Sequence, residues 1–160
     1  MSTRDAFLKA FSTNVVAVNS FTETFIDLLL ASSSPCILFI SSGIASLGDH
    51  FNTNIPVNKS PPSGWPKPYT FNTTTYRTSK TAMNMMILEW CRVLKEDGVK
   101  IHIVDPGWLA TDLGGADKEK VKAMGAGEPI VGGRFIKTVI EGERDDDVGR
   151  MVSKGGVIPW

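Results

Sequence analysis

The run CILFI, Cys36 to Ile40, followed by Ser41 and Ser42, most restricts what this chain can fold into. A strand that alternates apolar and polar residues keeps one wet face. Five apolar residues in a row leave neither face suited to water, so such a strand must be covered on both sides, as in a parallel sheet between helices. Ser32, Ser33, Ser34 and Pro35 part it from a preceding segment in which Phe11, Val15, Val18, Thr22, Phe25 and Leu29 step by four and three. That stepping is the stripe of a long core-facing helix, which is expected to begin almost at Met1.

The pattern repeats. Met83, Met86, Ile87, Trp90, Val93 and Leu94 continue a helix from about Tyr76, and Gly98 after "KED" suits a left-handed stop. "VKIHIVDPG" predicts a second strand. Past a glycine-rich segment, 112 to 127, Ile130 to Ile140 predicts a third helix, and "RMVSKGGVIPW" a last strand with a turn. Helix and strand alternate three times, which defines an α/β class with a parallel sheet. The stretch 49 to 75, with Pro56, Pro61, Pro62, Pro66 and Pro68, is expected to form a long insertion loop or lid, partly packed through Trp65 and Tyr69.

A length of 160 residues suits one domain spanning 1–160. Basic and acidic residues number 17 each, so no charge surplus argues for nucleic acid or anionic lipid as a partner. Cys36 and Cys91 have no Cys or His at metal-ligand spacing and are expected as buried free thiols in a reducing compartment. The first residues lack a signal-peptide core, and no apolar stretch reaches the ~18 residues of a membrane span, so a cytoplasmic location is expected.

Candidate chemistry gathers at the strand ends. Tyr76 and Lys80 are four apart, one helical turn, on one face. A nearby ammonium stabilises a phenolate, so Tyr76 could exchange a proton; by chance alone such a pair arises about one time in seven. Ser41 and Ser42 follow the first strand at the carboxyl end of the sheet, where open α/β folds place their crevice. After the second strand, "DPGWLAT" offers Pro106 to end it, Gly107 for close backbone approach and the Thr111 hydroxyl. Asn14 is a poor helix former inside a helix, which fits either a side chain simply facing solvent or one with a task such as holding a water. His102, on an alternating strand, reads as a packed core residue; His50 has no identifiable partner; "ERDDD" (143–147) reads as a solvated loop; the methionines near 83–86 read as core or interface packing.

Asn14, Ser42, Tyr76 and Lys80, then Pro106, Gly107 and Thr111, resemble the short-chain dehydrogenase/reductase family in order and setting. "TNVVAV" looks like its Asn-containing helix, "ILFISS" its serine strand, "YRTSK" its Tyr-x-x-x-Lys helix and "PGWLAT" its nicotinamide loop. The tail, "HIVDPGWLATDLGG" to "GGVIPW", looks like the C-factor or Sniffer-like carbonyl reductase branch. The resemblance implies a Rossmann-like sheet, NADPH as cofactor with NADH as the alternative, and a ketone or aldehyde substrate. It implies that Tyr76 protonates the carbonyl oxygen, Ser42 hydrogen-bonds it, Lys80 lowers the tyrosine pKa and holds the nicotinamide ribose, and Asn14 positions a water. Pro106, Gly107, the Leu109 backbone and Thr111 would hold the carboxamide; Leu47 and Trp108 would line the substrate pocket. Pairing of the two long helices across a homo-oligomer is also implied.

The family's opening strand, glycine-rich turn and helix have no counterpart here: Gly125 with Gly127, Gly132 with Gly133 and Gly155 with Gly156 all come late. The resemblance thus covers the C-terminal portion of the fold and leaves its N-terminal half without a match. Two expectations follow. The chain is a carbonyl reductase catalytic half, or it is a truncated, non-catalytic fragment that pairs with other subunits and binds no cofactor alone. In either case "CILFI" would be an apolar edge strand open to pairing.

Overall fold

The computed structural model describes residues 1–67 and 73–160. At its centre is one sheet of four strands, β1 (Cys36–Ile40), β2 (Lys100–Val104), β3 (Met151–Ser153) and β4 (Gly156–Ile158), in that order. β1, β2 and β3 are parallel, with Cys36 opposite Lys100 and Ile103 opposite Met151. β4 returns antiparallel on β3, so the sheet is mixed rather than wholly parallel as expected. The Ser153 hydroxyl accepts the Gly155 N–H at 3.2 Å and folds the tail into a hairpin. Three residues beginning with a glycine carry too short a pattern to be read as a separate strand.

Helices cover both faces. Met83, Ile87 and Leu94, on and just after α4 (Thr74–Val93), pack with Phe39, Ile101 and Ile103. Phe135, Ile136 and Val139 of α6 (Pro129–Ile140) meet Leu38, Val104 and Val152 on the other face. Leu38 and Phe39 part to opposite faces as a pleat requires, which is why the strand is apolar throughout. Gly98 closes the α4 segment at φ 68°.

The first helix comes in pieces. α1 (Thr3–Phe11), capped by Ser2, runs into a π-helical turn (Ser12–Val16), then α2 (Ala17–Thr24) and α3 (Ile26–Leu30). The Ala17 N–H reaches back five residues to the Ser12 carbonyl, which inserts one residue into the helical count. Val15, Val18 and Leu29 pack on the core as expected, whereas Phe25 is 44% exposed and Ile26 takes the inward place. α5 (Lys118–Ala123) stands inside the glycine-rich segment; Asp117 caps it by accepting from Glu119 and Lys120 N–H groups.

Several side chains depart from expectation. Cys36 is exposed, because it opens β1 beyond the helical cover, while Cys91 is half-buried; both are free thiols. Met83 is buried and Met86 packs on the core, but Met85 faces solvent. Trp65 is 87% exposed, and Tyr69 lies outside the described residues. At the amino end of the strands His102 is 2% exposed, as expected of a core residue, with its Nε2 3.6 Å from Asp145 Oδ1. Asp145 also pairs with Lys100, and Asp147 with Arg144 and Arg150, so "ERDDD" is anchored by ion pairs rather than merely solvated. Among the described residues no helix is long and apolar enough to cross a membrane.

Candidate active site

The carboxyl end of β1 is tied to α4 by side chains. Ser41, buried, donates its hydroxyl to Asn84 Oδ1 at 2.5 Å, and Asn84 is buried too. Ser42 follows in extended conformation, near enough to the Tyr76 phenol to lower its pKa. Beyond it the chain turns through a short 3₁₀ segment (Gly43–Ala45), which α4 grips at two points: Arg77 Nε donates to the Ile44 carbonyl at 2.6 Å and the Thr81 hydroxyl to the Ala45 carbonyl at 2.9 Å. Arg77 Nη2 also lies 3.1 Å from His50 Nδ1, so His50 does have a partner.

Tyr76 and Lys80 stand one turn apart, half-buried, with Lys80 Nζ 6.0 Å from the tyrosine ring centroid. That amine donates to the Ile40 carbonyl at 2.7 Å. Because the next N–H, that of Ser41, points to Val104 O at 2.8 Å on β2, the Ile40 carbonyl faces away from β2, and Lys80 satisfies it at the free side of the sheet. Burial lowers the Lys80 pKa. The Tyr76 phenol is pushed up by burial; the Ser42 hydrogen bond pulls it down and the Asp105 charge pushes it up.

Asn14 lies within the π turn, a helical irregularity found often at functional sites. Its Nδ2 donates to Ser79 Oγ at 2.9 Å, and Ser79 Oγ donates to the Tyr76 carbonyl at 2.9 Å. Asn14 is thus joined to the backbone of Tyr76 through a fully buried serine.

On the second strand end, Asp105 leads into Pro106 and Gly107, the latter at φ 90°. Asp105 Oδ1 accepts the Gly107 N–H at 3.1 Å, and burial raises the carboxyl pKa. Thr111 Oγ1 accepts the Leu113 N–H at 3.4 Å, and Leu109 bridges to Gly127. Leu47 and Trp108 are 67% and 54% exposed. A groove of about 510 Å³ runs along the free side of β1 between α2 and Lys80, with Asn14, Val18, Phe21 and Ile40 among its walls.

Sequence reasoning passed over Ser79, Asn84, Arg77, Thr81 and Asp105. Asn84 beside Met83 and Ser79 one turn before it are polar groups on an apolar helical face, which was a legible signal. Asp105 stands directly before the Pro–Gly pair.

The chain is 42% identical to the short-chain dehydrogenase/reductase tropE of Talaromyces stipitatus, over 97% of this chain and 58% of that protein. It is 40% identical to the short-chain dehydrogenase/reductase eupG of Phoma sp, over 100% of this chain and 60% of that protein. The NADPH-bound carbonyl reductase from chicken fatty liver superposes with a TM-score of 0.73 at 22% identity, over 99% of this chain and 59% of that one, a likeness of fold. No protein-family model matches the chain. The chain belongs to the short-chain dehydrogenase/reductase family and carries a Rossmann-like part of its fold. It spans about 58% of the length of the first of these relatives.

Proposed function

We propose that these residues form the proton-delivery corner of an NADPH-dependent reductase acting on a ketone or aldehyde. The observation that carries this reading is the gathering of Tyr76 and Lys80, one turn apart, at the carboxyl end of β1, where the Lys80 amine lies 6.0 Å from the tyrosine ring and holds the Ile40 carbonyl, with Ser42 and Asp105 near enough to act on the phenol. A carbonyl oxygen accepting from Ser42 would lie within reach of the Tyr76 O–H, which donates its proton as the carbonyl carbon is reduced. Burial favours the neutral phenol, so Tyr76 rests as an acid. Lys80 would leave the Ile40 carbonyl to meet the nicotinamide ribose and steady the phenolate left behind, and Asn14, held by Ser79, would position the water that returns a proton.

The residues present fit the nicotinamide end of the cofactor. Gly107 has open space where a side chain would stand, and Pro106, Leu109 and Thr111 border it on a loop open to solvent. NADPH, when bound, supplies the hydride; NADH would supply the same. Leu47 and Trp108, both solvent-facing, would border the substrate. The chicken liver protein, which binds NADPH, lends support by its fold.

The test is absorbance at 340 nm with millimolar NADPH and an aromatic aldehyde. The expected outcome is oxidation that falls by ~100-fold or more in Tyr76→Phe. No nicotinamide response at millimolar cofactor would overturn independent activity.

A second reading has its own observation. Phe21 and Ile40 are exposed beside the free edge of β1, which favours a chain that associates through the groove and its helices, with a second copy or another subunit, and binds no cofactor alone. A stable, folded monomer in sedimentation at tens of micromolar would contradict it.

A further inference from the structure

Two loops meet at the carboxyl end of the sheet, and one side chain touches both. Asp105 is fixed to the sheet by its own N–H, which donates to Val152 O at 2.8 Å. Its Oδ1 accepts the Gly107 N–H at 3.1 Å within its own loop. The same carboxylate faces the N–H of Gly43, the residue after Ser42, which lowers the carboxyl pKa. The approach is close: a Cβ on Gly43 would stand 2.7 Å from Asp105 Oδ2, so any larger residue there would have to push the carboxylate aside.

The groups facing Asp105 come from three elements. α4 contributes Tyr76 and, a turn further, Lys80, which is turned to the Ile40 carbonyl. The segment after β1 contributes the Gly43 amide, and the loop after β2 the Gly107 amide. Arg77, next to Tyr76, is turned to Ile44 and His50.

We propose that Asp105 is a positioning residue, whose carboxylate clamps the Ser42–Gly43 turn to the Pro106–Gly107 loop and so fixes the hydroxyls of the site against the surface that meets the nicotinamide. Its charge also opposes formation of a phenolate at Tyr76, which keeps the tyrosine loaded for donation. The catalytic purpose rests on the reductase reading above; the clamp itself does not.

The test uses the unmodified, ¹⁵N-labelled chain without cofactor. The Gly43 and Gly107 amide signals are followed through acid titration. Both are expected to move with one shared midpoint, above the ordinary carboxylate range, since both report the same buried group. Separate midpoints, or a Gly43 signal that does not respond, would overturn the clamp. In Asp105→Asn the shared transition is expected to vanish, and Tyr76, read in a Tyr69→Phe background, to titrate at lower pH than with Asp105 present. A superimposable tyrosine titration would overturn the charge effect. Should Asp105→Asn fail to fold, the amide titration of the unmodified chain still decides. Since neither readout needs NADPH, the clamp and the reductase reading can fail separately.

Discussion

The two flanks of β1 are finished to different degrees. On the β2 side, Ser41 N–H meets Val104, the Ser41 hydroxyl meets Asn84, and Phe39 is buried against α4. On the other side a groove runs along the strand, walled by exposed Phe21 and Ile40, with the Lys80 amine holding one edge carbonyl. The residues proposed to handle the proton sit where the first flank ends and the second begins. The contrast teaches that the chain builds this candidate corner from its own residues, while the surface alongside stays open. Among the described residues no strand leads through a Gly-x-x-x-Gly-x-Gly turn into a helix.

The largest effect is expected on the finished flank. Ile87→Ala empties a fully buried position between α4 and the sheet and should cost about 2–5 kcal/mol in urea denaturation. A cost near zero would break the comparison at its base. Asn84→Ala leaves the buried Ser41 hydroxyl without its acceptor and should cost about 1–3 kcal/mol by the same measurement.

The third prediction concerns pH. Burial lowers the His102 pKa below its ordinary 6.5, outweighing the Asp145 charge that raises it. The unfolded chain then binds that proton more readily than the folded one. The stabilising contribution is therefore complete above the unfolded value and lost as pH falls through the folded value. Thermal midpoints recorded from neutral to mildly acid pH should fall, and fall less in His102→Gln. Parallel curves would show that another group governs. The smallest effect belongs to the open flank: Phe21→Ala, at a side chain 66% exposed, should change stability by no more than about 0.5 kcal/mol. A loss comparable to that of Ile87→Ala would mean that the groove is covered in solution.

The sequence foretold the parts that rest on local pattern. "CILFI", apolar on both faces, and the alternating "KIHIV" form adjacent parallel strands; the stripe through Met83 and Ile87 lies on the core; Gly98 ends its segment in the left-handed region. The π turn escaped, because one inserted residue hardly disturbs a period of 3.6, and its effect emerges only downstream, at Phe25 and Ile26. β4 was too short to show an alternation. Ser79, Asn84 and Asp105 acquire meaning through partners 65, 43 and 62 positions away, and spacing within one element cannot reveal such pairs. The same reason hid the partners of His50 and Asp145.

Hydrogen exchange along β1 tests the contrast most directly. Ser41 N–H and the Pro35 carbonyl point to β2, so by alternation Ile37 and Phe39 also point there, whereas Leu38 and Ile40 point to the groove. The expected result is slow exchange at Ile37, Phe39 and Ser41 and fast exchange at Leu38 and Ile40. Equal protection at all five positions would contradict it, showing that the free flank of the strand is already paired.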